Sequence, residues 1–151
     1  MYDAASDETA TIAISGVSGG SASESGSQAV TITITDDDSA PTVTLAASST
    51  SIAENSASTI TLTATLSNAT YQDVTVSIGT SGTATEGTDY GNISDITISA
   101  GSTTGTATFD PTDDSDETDT VTATIAISGV SGGGATESGS QSVTILSLIH
   151  I

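Results

Sequence analysis

Apolar side chains alternate with Thr and Ser in several runs of this chain, and this period of two residues constrains the fold more than any other feature. In residues 60–66 and 74–78, Ile, Leu, Ala or Val occupies every second position, and Thr or Ser occupies the positions between. Such alternation, rich in β-branched residues, is typical of a strand with one face on a core and the other in water. We therefore predict an all-β protein.

Turn-forming residues separate these alternating runs. Turn signals of Gly, Ser, Asn or an Asp-Pro pair recur about every eight to fifteen residues between the short runs, which favours a sandwich or barrel of antiparallel strands. We predict an immunoglobulin-like antiparallel β-sandwich. Its predicted strands cover residues 42–46, 51–54, 58–66, 73–79, 94–98, 104–109, 119–128 and 138–145.

The chain contains an internal repeat. Residues 10–32 align with residues 123–145 at a constant offset of 113, and 20 of the 23 aligned positions are identical. One repeat is therefore about 110 residues long, the size of an immunoglobulin-like sandwich. We predict tandem repeats, with residues 39–145 as one near-complete copy. Residues 1–38 are then the last two strands and the aspartate linker of a preceding copy.

The preceding copy would be incomplete. Its predicted strands, residues 9–15 and 28–35, form only a hairpin, and a lone two-stranded hairpin is marginally stable in water. Two sources of the missing strands stay open: residues that precede Met1 in a longer polypeptide, or a neighbouring molecule that adds its strands.

The end of the chain favours the longer polypeptide. After Ile145 the second copy departs abruptly from the repeat, and residues 146–151 look like the translation of a sequencing adapter. We predict that this tail, which contains the only His of the chain, is non-native. The alternative is a divergent apolar end to the last strand.

The charge balance excludes several functions. The chain has 19 Asp and Glu residues and no Lys or Arg, so its formal net charge is -19. It has no cation to neutralise nucleic acid or an anionic membrane surface, and no apolar run long enough to insert into a membrane. Without Cys it has no disulfide or thiolate site. Outside the suspect tail no His, Lys or Cys is present to activate a nucleophile, and no aromatic-rich segment predicts a sugar cleft for a carboxylate pair, so we predict that the protein is not an enzyme.

The carboxylates are clustered. Three follow each other at residues 36–38, and six lie within residues 110–119. Carboxylates about 5 Å apart repel by about 3 kcal/mol at an effective dielectric constant near 20, so a folded cluster predicts a bound cation. Ca²⁺ fits best, because it accepts about 6–8 oxygen ligands in irregular geometry, whereas zinc and copper lack their usual ligands here. A solvated acidic turn is the alternative.

Four short segments resemble, in order, those of the Calx-beta repeat. They read SIAEN from Ser51, GTATEGTDY from Gly82, ISAG from Ile98 and DDSDE from Asp113. This repeat is familiar from the regulatory domains of sodium/calcium exchangers and from very large bacterial surface proteins. The resemblance covers about residues 39–145, and residues 1–38 resemble the end of a preceding repeat.

The resemblance implies calcium at one end of the sandwich. The ligands that it implies in residues 39–145 are Glu54, Asp89, Asp113, Asp114, Asp116 and Glu117, while the terminal triplet of the preceding copy is Asp36, Asp37 and Asp38. Neither site is complete in this sequence. The triplet that would follow Ile145 is absent, and Ala4 and Ala5 stand where the later copy has Asp113 and Asp114. Many bacterial members of the family also lose calcium binding.

These observations predict a structural module on the outside of a bacterial cell, extracellular or bound to the surface. Its partners would be calcium and neighbouring copies of the same repeat, in one chain or in a homopolymer, joined into a stiff rod, fibre or surface filament. Two alternatives stay open. One is an adhesin whose loops, such as residues 129–138, recognise a host or carbohydrate ligand. The other is a filament subunit that assembles by intermolecular strand exchange.

Overall fold

A computed structural model describes Tyr2, residues 7–113 and residues 121–148, with only the backbone described for Ser147 and Leu148. The chain divides into two compact units. The smaller unit is Ala4–Asp38, and the larger unit is Ser39–Ile151 together with Met1–Asp3. The regular structure of the described residues consists of strands and includes no α-helix. These residues therefore contain no helix that could cross a membrane.

The described residues form eleven strands. The smaller unit contains β1 (Glu8–Ala13) and β2 (Ala29–Ile34). The strands of the larger unit are β3 (Thr42–Ala47), β4 (Ser51–Ala53), β5 (Ile60–Leu66), β6 (Val74–Gly82), β7 (Ile96–Ile98), β8 (Thr104–Phe109), β9 (Val121–Ser131), β10 (Thr136–Glu137) and β11 (Ser142–Leu148).

The larger unit is a β-sandwich, which confirms the predicted all-β sandwich fold, while tandem repetition of that sandwich stays a prediction. One sheet has the strand order β10-β3-β5-β8 and the other has the order β4-β11-β9-β6-β7. The inward faces of the two sheets form one apolar core. Its buried members include Val43, Leu45, Ile60, Leu62, Ala64, Leu66 and Phe109 from the first sheet and Val74, Val76, Ile96, Ile98, Ala123, Ile125 and Ile145 from the second.

The period of two residues explains which side chains enter this core. In β5, Ile60, Leu62 and Leu66 are buried, whereas Thr61 and Thr65 between them are exposed. Successive side chains of a strand point to opposite faces, so the Thr positions face water while the apolar positions pack inward. The same alternation places the apolar residues of β6 and β9 in the opposite half of the core.

Two central strands are longer than the sequence predicts. β6 continues to Gly82 and β9 to Ser131, because the two strands pair with each other from Thr75↔Ser131 to Gly82↔Ala123. This pairing contains a register shift between Ser77 and Ile78. Long-range pairing therefore extends both strands into segments whose Gly and Ser content favours turns.

The last strand also differs from its predicted bounds. β11 begins at Ser142 rather than residue 138, and it continues to Leu148 because Leu146–Leu148 pair in parallel with β4. The short β10, which was not predicted, pairs in parallel with β3. Residues 149–151 of the predicted non-native tail lie outside the described residues, and the non-native origin of the tail stays a prediction.

The β1–β2 hairpin has the same conformation as the β9–β11 hairpin. Thr11 pairs with Thr31, and Thr124 pairs with Thr144, as the offset of 113 requires. The hydroxyl oxygens of these Thr pairs lie 3.2 Å and 3.1 Å apart. The loops agree as well, because the carboxylates of Glu24 and Glu137 accept hydrogen bonds from the backbone N–H groups of Gln28 and Gln141, respectively. The repeated sequence therefore folds twice into one hairpin geometry.

Candidate functional site

Strand pairing brings several chain segments to one end of the larger unit. β4 ends at Ala53, which pairs with Leu148, and the neighbouring Ser147 lies opposite Val121 at the start of β9. The backbone N–H groups of Thr83 and Ala84 both donate to the carbonyl of Thr122, at 2.9 and 3.0 Å. The residues after β4, the residues after β6 and the beginning of β9 therefore lie at the same end.

We call this end of the larger unit the acidic end, and three predicted calcium ligands belong to it. Glu54 follows β4 directly, and Asp89 lies in the loop after β6. Asp113 follows Thr112, whose backbone N–H donates to the carbonyl of Asp89 at 2.9 Å. Sheet register and loop pairing thus place at the same end of the unit residues that are 24 to 59 positions apart in the sequence.

The carboxylate of Asp89 also shapes its own loop. Its Oδ2 accepts a hydrogen bond from the backbone N–H of Thr85 at 2.6 Å, and its backbone N–H donates to the Thr85 carbonyl at 2.9 Å. The side chain and the backbone of Asp89 therefore together close a turn from Thr85 to Asp89. Such a turn leaves Oδ1 as a second carboxylate oxygen, so it is compatible with a ligand role.

A buried aromatic pair supports the acidic end. Tyr90 and Phe109 stack with ring centroids 4.8 Å apart and planes inclined by 24°, and both side chains are buried. Next to these rings, Tyr90 forms a β-bridge with Pro111, and the backbone N–H of Gly91 donates to the Asp110 carbonyl at 2.9 Å. The rings therefore hold the loop that contains Asp89 beside the segment that leads to Asp113.

Other carboxylates stabilise loops and irregular strands by accepting backbone hydrogen bonds. Glu86 accepts from the Thr80 hydroxyl at 2.9 Å and from the backbone N–H of Ile93 at 2.7 Å. Asp95 accepts from the backbone N–H of Ile78 at 3.0 Å, beside the register shift in β6. Neither role can be predicted from the sequence, because both depend on pairing that only the fold creates.

The aspartate triplet lies in the smaller unit. The backbone N–H of Asp36 donates to Asp7 Oδ1 at 3.1 Å, and the backbone N–H of Asp38 donates to Asp36 Oδ1 at 3.0 Å. Asp37 is exposed. Two of the predicted ligands in the triplet thus take part in local hydrogen bonds near the end of β2, and their role as calcium ligands stays a prediction.

The remaining predicted ligands, Asp114, Asp116 and Glu117, lie outside the described residues. Within the part of the chain that the structure describes, no three Asp, Glu or His side chains lie close enough together to hold a metal ion. The described donors at the acidic end are oxygen atoms, which suit a hard cation such as Ca²⁺. Glu54, Asp89 and Asp113 could supply part of such a site, and calcium binding stays a prediction.

The long loop between β9 and β11 packs against its own unit. A Cβ atom added to Gly132 would lie 2.2 Å from the Asp73 carbonyl oxygen, and one added to Gly133 would lie 2.8 Å from the Thr70 side chain. Ala135, in the same loop, is buried. A loop held this closely by its own sandwich is a poor candidate for an adaptable ligand-binding surface.

A second candidate site is the apolar face of the smaller unit. We call it the open face, and its exposed members are Ile12, Ile14, Val30, Ile32 and Ile34. The side chains of Ile12 and Val30 are 61% and 64% exposed, although they lie opposite each other on the hairpin. Large contiguous apolar patches on soluble proteins are typical of interaction surfaces, so the open face is a candidate for one.

The comparisons with known proteins assign no family. No protein-family model matches this sequence, and no curated protein matches it either. The Calx-beta resemblance, which depends on four short segments, therefore stays a prediction beside the observed β-sandwich.

Proposed function

We propose that this chain is an extracellular structural module at a bacterial surface, and that its β-sandwich repeats to build a rod or fibre. Calcium held at the acidic ends would stiffen the junctions between repeats. The observation that carries this proposal is the placement of Glu54, Asp89 and Asp113 at one end of the sandwich, in a chain with a net charge of -19 and no Lys or Arg.

The negative charge at the acidic end favours a bound cation. Carboxylates at the same end of a fold make the local potential negative, and no Lys or Arg side chain is present to reduce it. A divalent cation that binds only the folded state stabilises it, by about 2.7 kcal/mol at a hundredfold excess over the dissociation constant. Extracellular calcium modules bind weakly, with dissociation constants of about 10⁻⁴–10⁻³ M, and still fill outside the cell.

Thermal unfolding of the full chain tests the calcium part of the proposal. We expect the midpoint to rise by about 5–10 °C when calcium replaces a chelator, and to rise less with magnesium at equal ionic strength. Asp113→Asn should reduce this rise. Asp73→Asn is the matched control, because Asp73 is also exposed and precedes β6, at the end of the strand opposite to Gly82. A midpoint that is the same in calcium and in chelator would contradict calcium stiffening.

The two alternatives have unequal support. An adhesin role through residues 129–138 is less favoured, because that loop packs closely on Thr70 and Asp73. Assembly through strand exchange is favoured by the open face, since five large apolar side chains there are exposed to water. A structural module that joins to its neighbours through this hairpin is compatible with the same rod or fibre.

A further inference from the structure

In the larger unit, the sheet that contains β3, β5 and β8 covers the β9–β11 copy of the repeated hairpin. Ile125 and Ile145 correspond to Ile12 and Ile32 of the smaller unit. The first two are fully buried in a core that includes Leu62 of the opposite sheet, whereas Ile12 and Ile32 are 61% and 47% exposed. Because the two hairpins have the same register, the apolar face of β3, β5 and β8 is complementary to both.

A polar contact points to the same partner. In the larger unit, Gln141 donates from Nε2 to the Ser138 carbonyl at 2.6 Å, while its Oε1 accepts a hydrogen bond from the backbone N–H of Leu45 at 3.3 Å. Gln28 makes the equivalent contact with the Ser25 carbonyl at 2.6 Å. No hydrogen bond to Gln28 Oε1 occurs among the described residues. The Gln28 side chain therefore already has the orientation that the Gln141 side chain has where it contacts β3.

The hairpin loops give a third correspondence. Gly132 has φ +89° and lies so close to the Asp73 carbonyl that an added Cβ would be 2.2 Å from its oxygen. The equivalent Gly19 has φ +90°, and a Cβ there would meet nothing within 4 Å. The loop of the smaller unit thus has the shape and the small residues that would fit against the start of β6. At Gly19, however, no other segment lies where Asp73 lies beside Gly132.

We propose that the β1–β2 hairpin of one molecule closes the sandwich of a second copy of this chain, where it takes the place of β9 and β11. Ile12 and Ile32 enter the core in place of Ile125 and Ile145, and Gln28 accepts from the Leu45 backbone N–H of that copy. This inference deepens the strand-exchange form of the proposed structural role, and it does not depend on calcium.

Competition between the two hairpins controls the exchange. Each chain has two such hairpins and one surface to receive them, so docking β1–β2 releases β9–β11 and buries a similar apolar area. Ser21 replaces Gly134, where an added Cβ would lie 2.7 Å from the Tyr2 ring. Glu8 lies at the position of the half-buried Val121. Both differences favour β9–β11, so the exchange should dominate when β9–β11 is weakened.

A rescue experiment on the full chain tests the proposal. In Ile125→Asp/Ile145→Asp, two buried positions become charged and β9–β11 can no longer dock. We expect this variant to keep its β-sheet circular dichroism and a cooperative unfolding transition. Light scattering should show a mass that rises with concentration, because each β1–β2 hairpin closes a neighbouring molecule.

Two companion variants define the outcomes. Ile12→Asp/Ile32→Asp should be a folded monomer, whereas the quadruple variant with all four Asp substitutions should lose the cooperative transition. If Ile125→Asp/Ile145→Asp unfolds as completely as the quadruple variant, β1–β2 does not replace β9–β11. A folded monomer at every concentration would also overturn the proposal, because the hairpin would then close its own chain. All measurements are made in chelator, so that failure of calcium stiffening does not affect the result.

Disulfide trapping checks the register of the docked hairpin, because the chain has no Cys of its own. Ser81 pairs with Thr124, whose equivalent is Thr11, so Thr11→Cys and Ser81→Cys should become neighbours in different molecules. Paired strand residues have Cα atoms about 4.5–5.5 Å apart, within the range for a disulfide.

In the Ile125→Asp/Ile145→Asp background, oxidation of this pair should give a ladder of covalent multimers. Thr11→Cys with Thr61→Cys is the control, because Thr61 is exposed on β5 of the other sheet. Absence of the ladder from the first pair, or an equal ladder in the control, would contradict docking in this register.

Discussion

Ile32 and Ile145 occupy the same position in two hairpins of identical register, yet Ile145 is fully buried and Ile32 is 47% exposed. The sequences that lead up to them are nearly the same, with 20 of 23 positions identical, and the main difference between the two sites is what covers the hairpin. The opposite sheet of the sandwich covers β11, whereas β2 belongs to a separate two-stranded sheet. This pair therefore separates the effect of tertiary burial from that of local sequence.

The same truncation should have opposite consequences at these two positions. Ile145→Ala leaves a cavity in the core, and we expect it to lower the free energy of unfolding of the larger unit by about 2–5 kcal/mol. Ile32→Ala removes a side chain that is already half in water, so the change should stay within about 0.5 kcal/mol. Urea denaturation of the two variants measures both values. Equal losses would show that Ile32 is covered in solution.

The aromatic pair beneath the acidic end should contribute strongly to stability. Phe109→Ala removes a side chain that is 2% exposed and stacked on Tyr90, so we expect a loss of about 3–5 kcal/mol. Tyr71→Ala is the matched control, because Tyr71 is 64% exposed and its truncation should change stability by less than about 0.5 kcal/mol. A small effect of Phe109→Ala in calorimetry would contradict the role of these rings in holding the Asp89 loop.

Two equivalent glycines should respond differently to a methyl group. Gly19 and Gly132 both have a positive φ, so Ala is strained by about 1 kcal/mol at either position. Only at Gly132 does the new Cβ also collide with backbone, at the Asp73 carbonyl. We expect Gly132→Ala to lower the melting temperature clearly more than Gly19→Ala. Equal shifts would mean that the loop after β9 moves away from β6 at little cost.

Asp95 should stabilise the irregular part of β6. Its carboxylate accepts from the Ile78 backbone N–H at 3.0 Å and from the Ser77 hydroxyl at 3.1 Å, at the register shift. Asp95→Ala should cost about 1 kcal/mol, because the Ile78 N–H loses its acceptor at an exposed site. Asp95→Asn keeps one acceptor oxygen and should restore part of the loss. Faster amide hydrogen exchange at Ile78 in the Ala variant, measured by NMR, would show that the lost stability comes from the Ile78–Asp95 hydrogen bond.

Most of the strands could be predicted from the alternation of apolar residues with Thr and Ser. β3, β5 and β8 lie within about two residues of their predicted positions. The C-terminal ends of β6 and β9 could not be predicted because they contain Gly and Ser, and β10 could not because it is two residues flanked by Gly- and Ser-rich segments, which are typical of turns. These segments become strands only because neighbouring strands satisfy their backbone hydrogen bonds.

The candidate site, like the strands, could be predicted from the sequence only in part. The acidic segments are visible in the sequence, but only strand pairing places Glu54 at the end of the sandwich that also holds Asp89 and Asp113. The structural roles of Glu86 and Asp95 have no local signal, since their hydrogen-bond partners Thr80, Ile93 and Ile78 become neighbours through the turn and bulge around β6.

By itself, the sequence determines the strand periodicity, the hairpin geometry and its repetition, because alternation and turn residues act over a few neighbouring positions. Tertiary structure decides which copy of the hairpin is buried. Burial requires an opposing sheet, and residues distant in the chain supply it for Ile145, while Ile32 has no such cover among the described residues of its own unit. Side-chain exposure is therefore a property of the assembled layers, and two nearly identical segments of one chain differ in it.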